Sequence, residues 1–217
     1  MIIALLGASG SGKSIIENEL ATHHGFKKII SYTTREPRDY ETNGKDYHFT
    51  NNETFKQMLK DGHFAEHEEY SKNRLYGTVK YDYIDSSEDK VVVLTPNGLR
   101  QLKKNNLEEN IFSVLVTANL GTRVKRYIDR CGVGKFNFDD KNEISARVER
   151  DFGAFMGVEN EVDMILLNNE GTDIQDLVAE ILNNAYKEEG KSRRSRHESF
   201  KWVCVLWVEK MPTYNLS

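Results

Sequence analysis

Apolar residues run unbroken from Ile2 to Leu6 and stop at Gly7. A run without alternation predicts a strand buried on both faces, as in a parallel sheet. Val91–Leu94, Ile111–Thr117 and Asp163–Leu167 repeat the pattern, and Phe26–Ser31 has weaker strand character. Helical spacing is expected at Ile15–His24, at Gly98–Lys104 after Pro96, at Gly121–Cys131, at Asn142–Met156 and at Thr172–Glu189. Asn52, Glu53 and Thr54 open a short helix that Gly62 ends, and Phe64–Tyr70 and Tyr76–Val79 read as short strands. Tyr32–Lys45 and Gly132–Lys141 read as loops. Strands alternating with helices predict an α/β fold, a mostly parallel sheet flanked by helices. A small β-rich insertion falls at about residues 32–81. No internal repeat is visible.

Composition changes this picture little. The chain has 217 residues, 38% hydrophobic and 29% charged, enough apolar material for one real core. Three prolines exclude collagen-like and proline-rich classes. Cys131 and Cys204 are too far apart to suggest a metal motif or a disulfide framework, so reduced thiols in a cytoplasmic protein are expected. The first apolar run is too short for a signal peptide or a membrane span.

Charge is more informative. The net charge of −4 excludes a basic coat protein. Residues 187–217 hold seven Lys/Arg and four Asp/Glu, so the tail carries +3 and the body −7. The chain divides into a body, residues 1–186, and a basic, then apolar tail, residues 187–217.

The body opens with a specific signal. Gly7-Ala8-Ser9-Gly10-Ser11-Gly12-Lys13-Ser14 fits G-x-x-x-x-G-K-[ST] at every fixed position, after a strand and before a helix. The glycines let several backbone N–H groups turn toward one anion, and the helix N-terminus adds positive potential. Lys13 places a cation at the β/γ phosphates of ATP, and the Ser14 hydroxyl is a Mg²⁺ ligand.

A second segment suits another phosphate. Ser31-Tyr32-Thr33-Thr34-Arg35-Glu36-Pro37-Arg38 follows a strand end, where open α/β sheets gather ligands. Arg35 and Arg38 offer planar donor forks, although a solvated basic loop reads equally well from these residues alone. With Asn43-Gly44-Lys45-Asp46-Tyr47-His48-Phe49, Phe64-Ala65-Glu66 and Tyr76-Gly77-Thr78 in order behind it, the chain from Met1 to about Tyr186 resembles the guanylate kinase family.

The resemblance implies phosphoryl transfer from ATP to GMP or dGMP, within a P-loop fold carrying a monophosphate-binding insertion and a lid at about 130–147. It implies that Arg35, Arg38, Tyr47 and Tyr76 hold the acceptor phosphate. Glu66 reads guanine; an ionised carboxylate accepts from the base's N1 and N2 donors, a pair adenine lacks. Ser31, Gly77, Thr78 and Thr95 complete the acceptor site, and Asn168 lies near the donor adenine. Arg126, Arg130 and Arg147 are implied to close over the transferring phosphates, where converging cations meet charge spread over the equatorial oxygens. The acceptor oxygen is already anionic, so no strong base is required.

Three features stand apart. Family members usually carry aspartates in an Asp-x-Asp pattern where this chain has Val93 and Thr95, which leaves the acceptor and the ribose preference open. The stretch Gly132–Asp140 is expanded. His63-Phe64-Ala65-Glu66-His67 matches an inverted zinc-protease signature, but that needs a helix where Gly62 and Phe64 favour a strand. In the tail, Lys191–His197 reads as solvated, with weak nucleic-acid contact as the alternative. Trp202–Val208 is too short to span a membrane; an edge strand, a docking segment or self-association all remain open. Rival functions are a kinase of another small phosphorylated acceptor, a non-catalytic binding module, and an ATPase acting on nucleic acid.

Overall fold

The computed structural model describes residues 1–39, 41–71, 74–84, 87–108, 110–131 and 138–189. The basic run 191–197, the apolar run 202–208 with Cys204, and loop residues 132–137 lie outside the described residues. Five strands form the main sheet: β1 (Ile2–Leu6), β2 (Lys27–Lys28), β7 (Lys90–Val93), β8 (Ile111–Thr117) and β9 (Met164–Leu167). Their order is β2-β7-β1-β8-β9, and every pairing is parallel.

The unbroken apolar runs follow from this topology. Along β1, Ile3 and Leu5 pack on one face with Ile16 and Leu20 of helix α1 (Lys13–His23) and with Val178 and Ile181 of helix α7 (Ile174–Glu189). Ile2, Ala4 and Leu6 pack on the other with Leu99 and Leu102 of helix α4 (Pro96–Lys104). With both faces covered, alternation has no polar side to serve. Each fully buried Leu or Ile here contributes roughly 1.5–3 kcal/mol. Helix α5 (Leu120–Cys131) and helix α6 (Phe138–Phe155) follow β8.

A second sheet lies between α1 and β7 in sequence. It orders β4 (His48–Phe49), β3 (Tyr32–Thr33), β6 (Arg74–Val79) and β5 (Phe64–Ser71), with β5–β6 and β3–β6 antiparallel. Helix α2 (Asn52–Lys60) buries Phe55 under this sheet, its ring stacked on Phe64 at 4.4 Å. A short helix, α3 (Tyr81–Ile84), leads back to the main sheet.

Edge strand β5 is covered by α4 through side-chain amides. Gln101 accepts from His67 N at 3.1 Å and donates to His67 O at 2.8 Å, and Asn105 donates to Ala65 O at 2.9 Å. Two amide side chains thus replace a missing neighbour strand and tie the small sheet to the main one.

Several elements differ from the periodicity-based expectation. The strand expected over 26–31 is shorter: Lys27–Lys28 pair with β7, Ile29 N adds one bond to Val91 O at 2.9 Å, and Phe26 and Ile29 face opposite core clusters. The polar stretch 32–45 contains β3, whose hydrogen bonds come from distant strands. Helix α2 is capped one residue earlier than expected, by Asn51 Oδ1 accepting from Thr54 N at 2.8 Å. Helix α6 begins at Phe138 rather than Asn142. His67 lies on β5, so the zinc signature has no helix face. Among the described residues no helix is long and apolar enough to cross a membrane.

Candidate active site

Residues 7–12 link β1 to α1, with Gly10 at φ +80° and Gly12 at φ +100°. These values belong to glycine, and a Cβ at Gly12 would overlap the Asn168 side-chain amide. Each backbone carbonyl from Gly7 to Ser11 accepts a side-chain donor. Lys13 Nζ donates to Gly7 O at 2.6 Å and Ala8 O at 3.2 Å. Arg123 Nε reaches Ser9 O at 2.8 Å. Arg126 donates to Gly10 O at 3.1 Å and Ser11 O at 3.2 Å. Asn168 Nδ2 donates to Ser11 O at 2.9 Å while its Oδ1 accepts from Arg126 at 3.0 Å.

Arg126 and Asn168 therefore brace the loop through its carbonyls and each other. Ser14 is exposed in the first turn of α1. Burial lowers the Lys13 ammonium to about 8, with Asp151 pulling it back up and Arg123 and Arg130 pushing it further down. Asp151 is buried on α6, and its Oδ2 accepts from Ser9 N at 2.8 Å and from Arg123 at 2.6 Å. Neither Arg123 nor Asp151 is signalled by the loop motif; one lone arginine and one lone aspartate carry no local pattern.

Arg35 and Arg38 assemble around Glu41, also without sequence signal. Glu41 accepts from Arg35 at 2.8 Å, from Arg38 N at 2.8 Å and from the Arg38 guanidinium at 3.4 Å. Arg35 lies over the Tyr47 ring at 5.3 Å and the Phe49 ring at 5.6 Å. Tyr47 meets Tyr76 edge-on at 6.0 Å. The sheet register explains this grouping: β3 pairs Thr33 with Tyr76 and with Phe49. Ser31 joins through its carbonyl, which accepts from His48 N at 2.9 Å. Glu17, one turn beyond Lys13 on α1, interacts electrostatically with both Lys13 and Asp46. Burial pushes the Glu17 carboxyl up.

Glu66 is buried at 6% exposure on β5, opposite Thr78 of β6. Its Oε1 accepts from Thr78 Oγ1 at 2.8 Å, and that hydroxyl shares a second 2.8 Å bond with Tyr83. A Cβ built on Gly98 would lie 2.8 Å from Glu66 Oε2 and 3.4 Å from Thr95 Oγ1, so the carboxylate rests on the first turn of α4. Thr95 caps that helix, accepting from Gly98 N at 3.0 Å. Burial raises the Glu66 carboxyl to about 7, against the lowering effect of Thr78. Gly77 packs beneath, where a Cβ would meet Glu66 O at 2.9 Å.

Arg130 and Arg147 converge on one ring rather than on the loop. Their guanidinium carbons lie 5.7 and 5.6 Å from the Tyr127 centroid. Glu143 accepts from Arg147 at 2.6 Å and from the Tyr127 hydroxyl at 2.9 Å. A pocket between α5 and α6, lined in part by Ser9, Arg123, Arg130 and Arg147, opens beside this group.

A five-stranded parallel sheet with a glycine loop after its first strand defines a P-loop NTPase fold. The sequence model of the guanylate kinase family matches residues 1–185, and the chain belongs to that family. It is 35% identical over 128 residues to a guanylate kinase of Lactobacillus delbrueckii subsp. bulgaricus, covering 56% of this chain and 61% of that one. The matched segment thus spans less than two thirds of that relative. Against a guanylate kinase of Onion yellows phytoplasma the identity is 28% over 200 residues, 90% of this chain and 89% of the relative. A match of 25% to mouse MAGUK p55 subfamily member 4 covers 95% of this chain and 32% of that protein. The crystal structure of guanylate kinase from Anaplasma phagocytophilum superposes with a TM-score of 0.65 at 22% identity, over 88% of this chain and 87% of that one, a likeness of fold.

Proposed function

We propose that this chain transfers the γ-phosphoryl group of ATP to GMP or dGMP. The observation that carries the reading is the coexistence, in one chain, of a glycine loop with Gly10 and Gly12 at positive φ and a buried carboxylate, Glu66, whose Oε1 is fixed by Thr78. In this reading the loop N–H groups and Lys13 hold the donor's β/γ phosphates. Arg35, Arg38, Tyr47 and Tyr76 hold the acceptor phosphate, Glu66 and Thr78 select guanine, and Ser31, Gly77 and Thr95 frame the pocket. An oxygen of the acceptor phosphate forms the new bond to the γ-phosphorus as the bond to the β–γ bridging oxygen breaks, leaving ADP. Arg130 and Arg147, at the ends of a lid over about 130–147, arrive with closure and offset the equatorial charge. Closure also excludes water that would hydrolyse ATP.

Ser14 would hold Mg²⁺. Its exposed hydroxyl beside Lys13 suits an ion that retains several waters and takes few protein ligands. Bound there, the ion supplies further charge neutralisation at the donor phosphates. We assign the kinase unit to residues 1–186, set the basic, then apolar tail 187–217 apart from it, with self-association among the roles open to its apolar run, and place the enzyme in the cytoplasm. Sedimentation of the chain with and without residues 190–217 checks the tail's part.

The deciding experiment measures phosphorylation of GMP, dGMP, AMP, dTMP and CMP side by side with ATP and magnesium. Turnover of the guanine nucleotides alone is expected; equal, negligible rates on all five would remove the reading. A second reading is a binding module without catalysis. It is favoured by the match to the mouse MAGUK protein and by Val93 and Thr95 at the β7 end. ATP-dependent ADP release that does not respond to GMP would support it.

A further inference from the structure

Ser9 is clamped on both sides of its backbone by one ion pair. Its N–H donates to Asp151 Oδ2 at 2.8 Å, its carbonyl accepts from Arg123 Nε at 2.8 Å, and Arg123 and Asp151 pair at 2.6 Å. Asp151 is 6% exposed. A carboxylate from α6 thus occupies a backbone donor of the glycine loop that the reading above gives to the donor phosphates. Its charge also reaches Lys13, where it is the largest influence after burial.

The same face of α6 carries Glu143, Arg147 and Asp151 at intervals of four residues. Arg147 is held back by Glu143 at 2.6 Å, while Asp151 lies against the loop. Polyphosphate at the loop would repel Asp151 and attract Arg147. On one rigid helix the two forces oppose each other as a translation and combine only as a tilt, which carries Asp151 away from the loop while Arg147 approaches it.

Resting on the donor-site reading above, we propose that Asp151 is an internal occupant of the phosphate loop: it takes the Ser9 N–H while the loop is free of nucleotide and yields it, with a shift of α6, when the donor phosphates bind. Arg123 compensates the carboxylate in the free state and keeps the Ser9 carbonyl in place after it leaves. The device keeps the loop ordered without a ligand and links donor binding to movement of the helix that carries Arg147. It differs from a static brace in the sign of its effect. Removing a brace loosens the loop and weakens nucleotide binding; removing a competing charge strengthens it.

The test is calorimetric binding of ATP and of ADP, with magnesium and without acceptor, to the full wild-type chain and to Asp151→Asn. Asparagine keeps an acceptor for Ser9 N–H and removes the charge. A Kd lower by about 10-fold is expected, the scale of one charge-assisted hydrogen bond no longer opposed. An unchanged or higher Kd would overturn the proposal. Hydrogen exchange on the wild type keeps it decidable if the variant fails to fold: ATP is expected to reduce protection of α6 around residue 151, and unchanged protection there with ATP bound would overturn it. A wild-type chain that binds neither nucleotide would remove the donor-site reading and this proposal together. Binding that Asp151→Asn does not improve removes the proposal alone.

Discussion

Thr78 Oγ1 donates a 2.8 Å hydrogen bond to Glu66 Oε1 across the antiparallel β5–β6 pair. The bond fixes one carboxylate oxygen while the other rests against Gly98. Burial holds the Glu66 carboxyl up at about 7 despite this donor. The native chain therefore keeps a proton on Glu66 that the unfolded chain releases in the ordinary carboxylate range. Stability should fall as pH rises from that range to about 7, then level off. In Glu66→Gln this component of the slope should vanish, as thermal unfolding against pH would show. The ionised form accepts both guanine donors, so KM for GMP should fall as pH passes about 7. Glu66→Gln should raise that KM by roughly 10- to 100-fold, the scale of a lost charged hydrogen bond, without changing ATP affinity. An unchanged preference for GMP would count against Glu66 as the base reader.

Gly98 tests the same carboxylate from the other side. Gly98→Ala keeps the helix and slightly favours it by propensity. Its new methyl would sit 2.8 Å from Glu66 Oε2 and must displace it. The expected result is a raised KM for GMP with an unfolding temperature close to wild type. A large loss of stability with unaltered KM would mean the helix moves instead.

How far these relationships are legible in the chain depends on their range. Ile2–Leu6 and Ile111–Thr117 announce themselves because burial on both faces writes a continuous apolar run. Gly10, Gly12 and Lys13 are legible because phosphate binding needs several special residues in adjacent positions. Glu41, Arg123 and Asp151 are not, since each acts singly and Asp151 meets Ser9 across 142 positions. The two-residue strands β3 and β4 escape for the same reason: their pairing is set by the register with β6, not by their own composition. Arg126 and Asn168 are found by resemblance, yet their placement on the loop carbonyls needs coordinates.

Glu41 should prove to be the anchor of the acceptor arginines. Two effects of Glu41→Ala oppose each other: a negative charge leaves the phosphate site, and Arg35 with the Arg38 backbone loses its tether. The Glu41 side chain is only 5% exposed and accepts from both a guanidinium and a backbone N–H at 2.8 Å, so loss of orientation should dominate. KM for GMP is expected to rise about 10-fold, with ATP binding unchanged. A lower KM would show that the charge matters more than the tether.

Tyr127 gathers the two arginines proposed to act at closure. Its ring lies 5.7 Å from the Arg130 guanidinium on α5 and 5.6 Å from that of Arg147 on α6, and its hydroxyl donates to Glu143. Each partly exposed cation–ring contact contributes about 0.5–1 kcal/mol, so losing both is worth roughly 10-fold in rate. Tyr127→Leu should lower kcat by about that factor while KM for GMP stays near wild type, because the acceptor arginines are elsewhere. Tyr127→Phe keeps the ring and should restore most of the rate, losing only the bond to Glu143. If leucine and phenylalanine behave alike, the hydroxyl bond to Glu143 rather than the ring holds Arg147. If neither changes kcat, Arg130 and Arg147 find the phosphates without this shared platform.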